Sequence, residues 1–290
     1  MHRATLLHLR VPFSFFLLPV FLFACAVCRA SPVSESVIVA FIAWHLFIYP
    51  ASNGYNSYFD KDQGAIGGLE KPPPVSRELY NASLLLDVAG IAVGTYAGWQ
   101  FALALFIYGL ISKAYSHPLV RLKKYPLLSL LTVGIFQGFF VFMSSIQALT
   151  GKLWSELVAE AYWCIPAALS SLMLIGSYPM TQIYQHEEDA RRGDQTFSLL
   201  LGIRGTFLYT LFVFSIATVG LVVYFWYYFA HTWAWAFLLA LSPVLLFFLW
   251  WMKQAFANPH LANFRNTMRL NLLSATCLNT FYLLLWFTML

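Results

Sequence analysis

The chain has 290 residues, of which 60% are hydrophobic and 10% charged, with a formal net charge of +5. Apolar runs of about 17 to 25 residues recur along its whole length, as a hydrocarbon core roughly 30 Å thick requires of a crossing helix. That pattern excludes a soluble globular protein, and the positive balance reads as topology and phosphate handling, with no nucleic-acid partner needed to explain it.

Polar or proline boundaries divide the chain into nine predicted membrane helices, near 11–28, 34–55, 80–98, 100–115, 126–148, 157–180, 207–228, 232–252 and 268–289. The expected fold class is all-α and polytopic, a single transmembrane domain over residues 1–290. The first run, preceded by MHRATLLHLR, also fits a cleavable signal peptide, whose removal would leave eight helices. Cys25 and Cys28 sit at its outer end and Cys164 and Cys277 in later runs, so the four cysteines read as small core residues. With nine spans and the N-terminus inside, 15 of the 17 Lys and Arg residues fall on one side, leaving Arg29 and Lys152 on the other. The excess of basic residues in short inner loops therefore predicts a cytoplasmic N-terminus.

The second run ends in NGYNSYFDKDQGAIGGLEKPPP, where Asn53, Asn56 and Asp60 fall at i, i+3 and i+7 and line one face of the helix end. Asp62 joins them only if the helix unwinds after Asp60, which Gly64, Gly67 and Gly68 would permit. Asp87 lies inside the third run, where a charge has a partner or a purpose, and His45 in the second reads as a hydrogen-bonded helix residue. After the fourth run, KAYSHPLVRLKKYP supplies Lys113, Arg121, Lys123 and Lys124 on the same membrane face.

After the sixth run comes YPMTQIYQHEEDARRGDQT, in which Gln185, Glu188, Asp189 and Arg192 share a helical face. The two polar clusters lie four spans apart at equivalent helix ends, so the chain reads as two pseudo-repeated four-helix units plus a ninth helix, an arrangement that encloses a site between its halves. Carboxylate and amide oxygens are the ligands Mg²⁺ takes while keeping room for phosphate, and basic residues beside them neutralise a diphosphate. A secondary transporter would instead place its polar residues near mid-membrane.

These motifs resemble the UbiA superfamily of intramembrane prenyltransferases, with NSYFDKD similar to the family's NDYFDRD, EEDARRGDQTFSLLLG to its EDxxxGKRTLxxxLG, and AYSHPLVRLKK to its TYSPPLRLKR. The resemblance covers the chain in helix count and motif order. It implies Mg²⁺-dependent transfer from a prenyl diphosphate to a lipophilic acceptor, such as an aromatic or quinone precursor, through an allylic carbocation within the membrane. It implies metal ligation by Asn56, Asp60, Glu188 and Asp189, diphosphate contacts from Lys113, Arg121, Lys123 and Arg192, and catalytic roles for Asp60, Asp189 and Tyr115, with Tyr184 nearby. The family also contains terpene cyclases, in which the cation is attacked by its own chain and no acceptor is needed. Two positions depart from the pattern, Gly64 and Gln185 standing where the family usually has Asp, with Asp62 and Glu188 the available replacements. The connections GAIGGLEKPPPVSREL and ARRGDQTFSLLLGIRG are expected to cover the site and exclude water.

Overall fold

In a bilayer core the backbone must satisfy its own N–H and C=O groups, and every apolar run of this chain folds as helix. The computed structural model describes Met1–Leu290 and contains no strand. In chain order the helices are α1 (Arg3–Leu9), α2 (Leu18–Cys28), α3 (Glu35–Asp60), α4 (Arg77–Ala97), α5 (Trp99–Ser116), α6 (Pro126–Thr150), α7 (Trp154–Ala159), α8 (Ala161–Thr181), α9 (His186–Arg192), α10 (Phe197–Tyr228), α11 (His231–Ala257) and α12 (Phe264–Thr288). Seven of them are long and apolar enough to cross a membrane, namely α3, α4, α6, α8, α10, α11 and α12. The segments Arg3–Phe16 and Leu18–Cys28 meet at 43° and supply an eighth crossing if the bent pair is one span. Helix α5 is outside that set, since Gln100 and Lys113 dilute its apolar content. The expectation of nine apolar crossings is thus met by seven or eight, with α5 as an additional membrane-length helix.

Local chemistry sets the helix boundaries. Ser34 and Asn263 cap α3 and α12 by accepting the backbone N–H of Val37 and Asn266, satisfying donors that a helix start leaves unpaired. Helix α3 widens into a π turn over Ala43–Ile48 just before Pro50, where an unbroken α-helical ladder would collide with the proline ring. It ends at Asp60 because Lys61 adopts the left-handed conformation, φ 49° and ψ 44°. Helix α10 breaks at Gly202, at φ 66° and ψ 177°, a conformation open essentially to glycine alone.

The N-terminal segment is part of the bundle. The backbone N–H of His2 donates to Glu78 on α4 at 3.0 Å, the Asn279 amide donates to the Phe15 carbonyl at 3.2 Å, and the Trp286 indole donates to the Ala30 carbonyl at 2.6 Å. The last helix therefore closes against α2 and the turn that precedes it. The four cysteines are all free thiols, and Cys25 is fully buried among apolar neighbours.

Candidate active site

One cavity of about 700 Å³ opens among the helix ends and runs into the apolar interior. Its mouth carries Arg10, Asp60, Asp62, Lys123, Asp189, Arg192 and Asp194, and its inner walls are built from Phe23, Leu241, Val244, Leu245, Phe248 and Tyr282 among others. A strongly polar entrance continuous with an apolar chamber is what an amphiphile with a charged head and a hydrocarbon tail requires.

Each charged group at the mouth is placed by a helix end. Asp60 is the last residue of α3 and forms an ion pair with Lys123, which the short 3₁₀ turn Leu122–Lys124 presents between α5 and α6. The Lys123 ammonium is thus the counter-ion of the buried Asp60 Oδ1. Because Lys61 stops the helix, Asp62 turns into the cavity and meets Arg192 at 2.6 Å. Arg192 also bridges to Glu188 at 2.6 Å, one turn earlier on α9.

Helix α9 ends with Gly193 at φ 73°, the Gly193 and Asp194 N–H groups returning to the carbonyls of Ala190 and Asp189. This Schellman closure swings Asp194 back to the mouth, where Arg121 binds it through two N–H donors at 3.0 and 2.8 Å. Burial acts to raise the Asp194 carboxyl, but the hydrogen bonds from Arg121 and the charge of Lys123 hold it below the usual carboxylate range. Asp189 has no arginine partner; burial pushes its carboxyl up to about 6, against the lowering effect of a 3.1 Å hydrogen bond from Thr196 and of the Lys123 charge.

Behind the carboxylates the hydroxyls of Tyr115, Tyr178 and Ser129 form a closed hydrogen-bonded triangle. The Gln182 amide donates to Tyr178 at 2.9 Å, and both tyrosines line the cavity. Asn56 donates to Ser116 at 2.9 Å, fixing its amide so that the carbonyl oxygen remains available.

Of the residues expected from sequence, Asn56, Asp60, Tyr115, Lys123, Asp189 and Arg192 lie on the cavity wall, as does Tyr184. Lys113, Arg121 and Glu188 lie outside it. Lys113 is turned to Asp87 across α4 and α5 and rests 5.1 Å from the Tyr55 ring, which supplies the partner that a charge inside the third run requires. Glu188 is spent on backbone, its carboxylate accepting the N–H groups of Gln63 at 3.0 Å and Gly64 at 3.3 Å. Arg10, Asp194 and Tyr178 were not singled out from sequence. Arg10 donates to the carbonyls of Gly67 and Asn53 at 3.0 and 3.3 Å, and its only sequence signal is a basic residue just before the first apolar run.

The acids do not make an all-protein cage, since no three Asp, Glu, His or Cys side chains converge as metal ligands. Four carboxylates nevertheless share the mouth, and of these Asp189 has no arginine or lysine ion pair and Asp60 has one lysine. That arrangement fits an ion held by one or two carboxylates and completed by substrate phosphates, the usual habit of Mg²⁺.

The UbiA prenyltransferase family profile matches residues 16–273. The chain belongs to the UbiA family. Solved UbiA homologues share its fold. The apo homologue from Aeropyrum pernix K1 superposes with a TM-score of 0.72 at 18% identity, over 95% of this chain and 98% of its own. A homologue from Archaeoglobus fulgidus, solved bound to DMAPP and Mg²⁺, gives 0.68 at 15% identity, over 99% and 98%. A digeranylgeranylglyceryl phosphate synthase gives 0.61 at 16% identity, over 99% and 97%. No curated protein matches the sequence.

Proposed function

We propose that this UbiA-family protein transfers a prenyl group from a prenyl diphosphate to a lipophilic acceptor inside the membrane, with Mg²⁺ as cofactor. The observation that carries the reading is the cavity whose charged mouth is continuous with an apolar chamber. The A. fulgidus homologue was solved with DMAPP and Mg²⁺, and with GPP and Mg²⁺, which supports the same donor class and ion here.

In this reading Asn56, Asp60 and Asp189 offer oxygens to the ion, with Asp62 beside them. When bound, Mg²⁺ supplies positive charge to the diphosphate oxygens as the allylic C–O bond breaks. Lys123 and Arg192 contact the diphosphate and stabilise the charge it gains on leaving. Tyr115 and Tyr178 present ring faces and fixed hydroxyls to the cation that remains, and the acceptor closes the reaction by attacking that cation and losing a proton. Glu188 and Arg121 support the mouth through the loop and through Asp194, and Lys113 stays with Asp87. Residues 1–290 form one domain, read as nine spans in two pseudo-repeated four-helix units plus one, with the N-terminus and mouth cytoplasmic. The 15-to-2 partition of Lys and Arg supports that orientation.

The test is turnover of a labelled prenyl diphosphate by the purified protein with Mg²⁺, with and without aromatic, quinone-precursor and glycerolipid acceptors. Acceptor-dependent diphosphate release that Asp60→Ala or Asp189→Ala abolishes supports transfer. Hydrocarbon or terpene alcohol formed without acceptor would make the protein a cyclase, and a lack of any diphosphate release would refute both readings.

A further inference from the structure

The two departures from the family's acidic pattern, Gly64 and Gln185, occupy opposite sides of a single contact. Gln185, Glu188 and Arg192 lie at i, i+3 and i+7 on one face of α9 and its N-terminal cap. Each engages a successive part of the loop after α3. The Gln185 amide donates to the Ala65 carbonyl at 3.0 Å, Glu188 accepts the N–H groups of Gln63 and Gly64, and Arg192 binds Asp62.

We propose that α9 is a clasp that holds the mouth loop over the cavity by protein contacts alone, with Gln185, Glu188 and Arg192 as positioning residues for Asp62. The contacts are independent of the transferase reading, which enters only for what Asp62 then faces. Both departures follow from the clasp. A side chain at position 64 would put its Cβ 2.6 Å from Glu188 Oε2, so an Asp there would drive the Glu188 carboxylate off the two N–H groups and set a second negative charge beside it. An Asp at position 185 would have no donor for the Ala65 carbonyl and would face oxygen with oxygen. The chain has exchanged two carboxylates for two fixed contacts, so the loop is ordered before any ligand arrives. Its ordering entropy is then already met on binding.

Hydrogen exchange on the full-length protein in detergent, without Mg²⁺ or prenyl diphosphate, tests this. The amides of Gln63 and Gly64 are expected to be protected in the wild type and to exchange roughly tenfold faster or more in Glu188→Ala, the effect of losing hydrogen bonds to a charged acceptor. Gly64→Asp is expected to give the same acceleration, and Gly64→Asp combined with Glu188→Ala no more than Glu188→Ala alone, because at amides 63 and 64 both remove the same pair of hydrogen bonds. Glu188→Gln, which keeps one acceptor, is expected to restore part of the protection. Amides in α6 and α11 serve as the control for folding. Under turnover, Glu188→Ala is expected to raise KM for the prenyl diphosphate more than it lowers kcat. Amides 63 and 64 exchanging freely in the wild type until Mg²⁺ and prenyl diphosphate are added would overturn the clasp while supporting the transferase reading. Protected amides in a protein that binds no prenyl diphosphate would do the reverse.

Discussion

Asp60 and Lys123 are the pair on which stability and activity separate most cleanly. Both side chains are largely withdrawn from solvent, at 5% and 13% exposure. Asp60→Asn leaves the Lys123 ammonium buried beside a neutral amide, and removing one partner of a buried pair costs about 3–5 kcal/mol. Replacing both, as Asp60→Asn with Lys123→Met, removes the orphaned charge, so most of that loss is expected to return. Under the proposed function, activity should not return with it, since the double variant would lack both an ion ligand and a cation for the leaving group. A single electrostatic contact made at the transition state is worth about 10²–10³ in rate. Thermal unfolding in detergent reads the first quantity and release of labelled diphosphate the second. A double variant that is as active as the wild type would refute the assignment and reduce the pair to a structural bridge.

Four further outcomes are expected. Prenyl diphosphate binding in Mg²⁺ should weaken about tenfold between pH 7 and pH 5, because the Asp189 carboxyl titrates at about 6 and about a tenth of it is ionised one unit lower; Asp189→Asn should flatten that step in a calorimetric titration. The sign for stability is opposite: a raised carboxyl favours the folded state below its unfolded value and loses that contribution as pH rises through about 6, so unfolding temperature of the ligand-free protein should fall across that window in the wild type and less in the variant. Gly202→Ala should cost about 1–3 kcal/mol, seen as a lowered unfolding temperature, because the backbone there sits at φ 66° and ψ 177°. Leu241→Trp, on the inner wall of the chamber, should shorten the longest prenyl diphosphate that is turned over while sparing shorter ones, as product chromatography would show.

The crossings were legible in the main because apolarity is a property of the run itself, and seven or eight of the nine expected runs are helices long and apolar enough to cross. The polar ends were legible in part. Helical periodicity put Gln185, Glu188, Asp189 and Arg192 on one face, yet that face spans about 100°, and its two edges meet different surroundings. Asp189 looks into the cavity and Glu188 onto the loop, while Gln185 and Arg192, lying between, touch both. The arrival of Asp62 required the helix to stop after Asp60. The nearby glycines suggested it, but Lys61 supplies the left-handed residue. Asp194 reaches the mouth only through the turn at Gly193, and Arg10 only through packing of the first segment over residues 53 and 67, and neither can be read from spacing along the chain.

The charge inventory of the mouth explains why such a site calls for a divalent ion. Four carboxylates line it, Asp60, Asp62, Asp189 and Asp194, against three cations, Arg10, Lys123 and Arg192. Asp62 already occupies Arg192, Asp60 occupies Lys123, and Asp194 is taken by Arg121 from behind. A diphosphate offered to this surface alone would meet acids at least as numerous as bases, with most of the bases engaged. Brought in with Mg²⁺, it finds carboxylates suited to the ion and cations that can be shared with its own oxygens. In the transferase reading the acids thereby act as a filter against an uncomplexed anion, and the basic residues, which on their own would bind any phosphate, become selective for the metal complex.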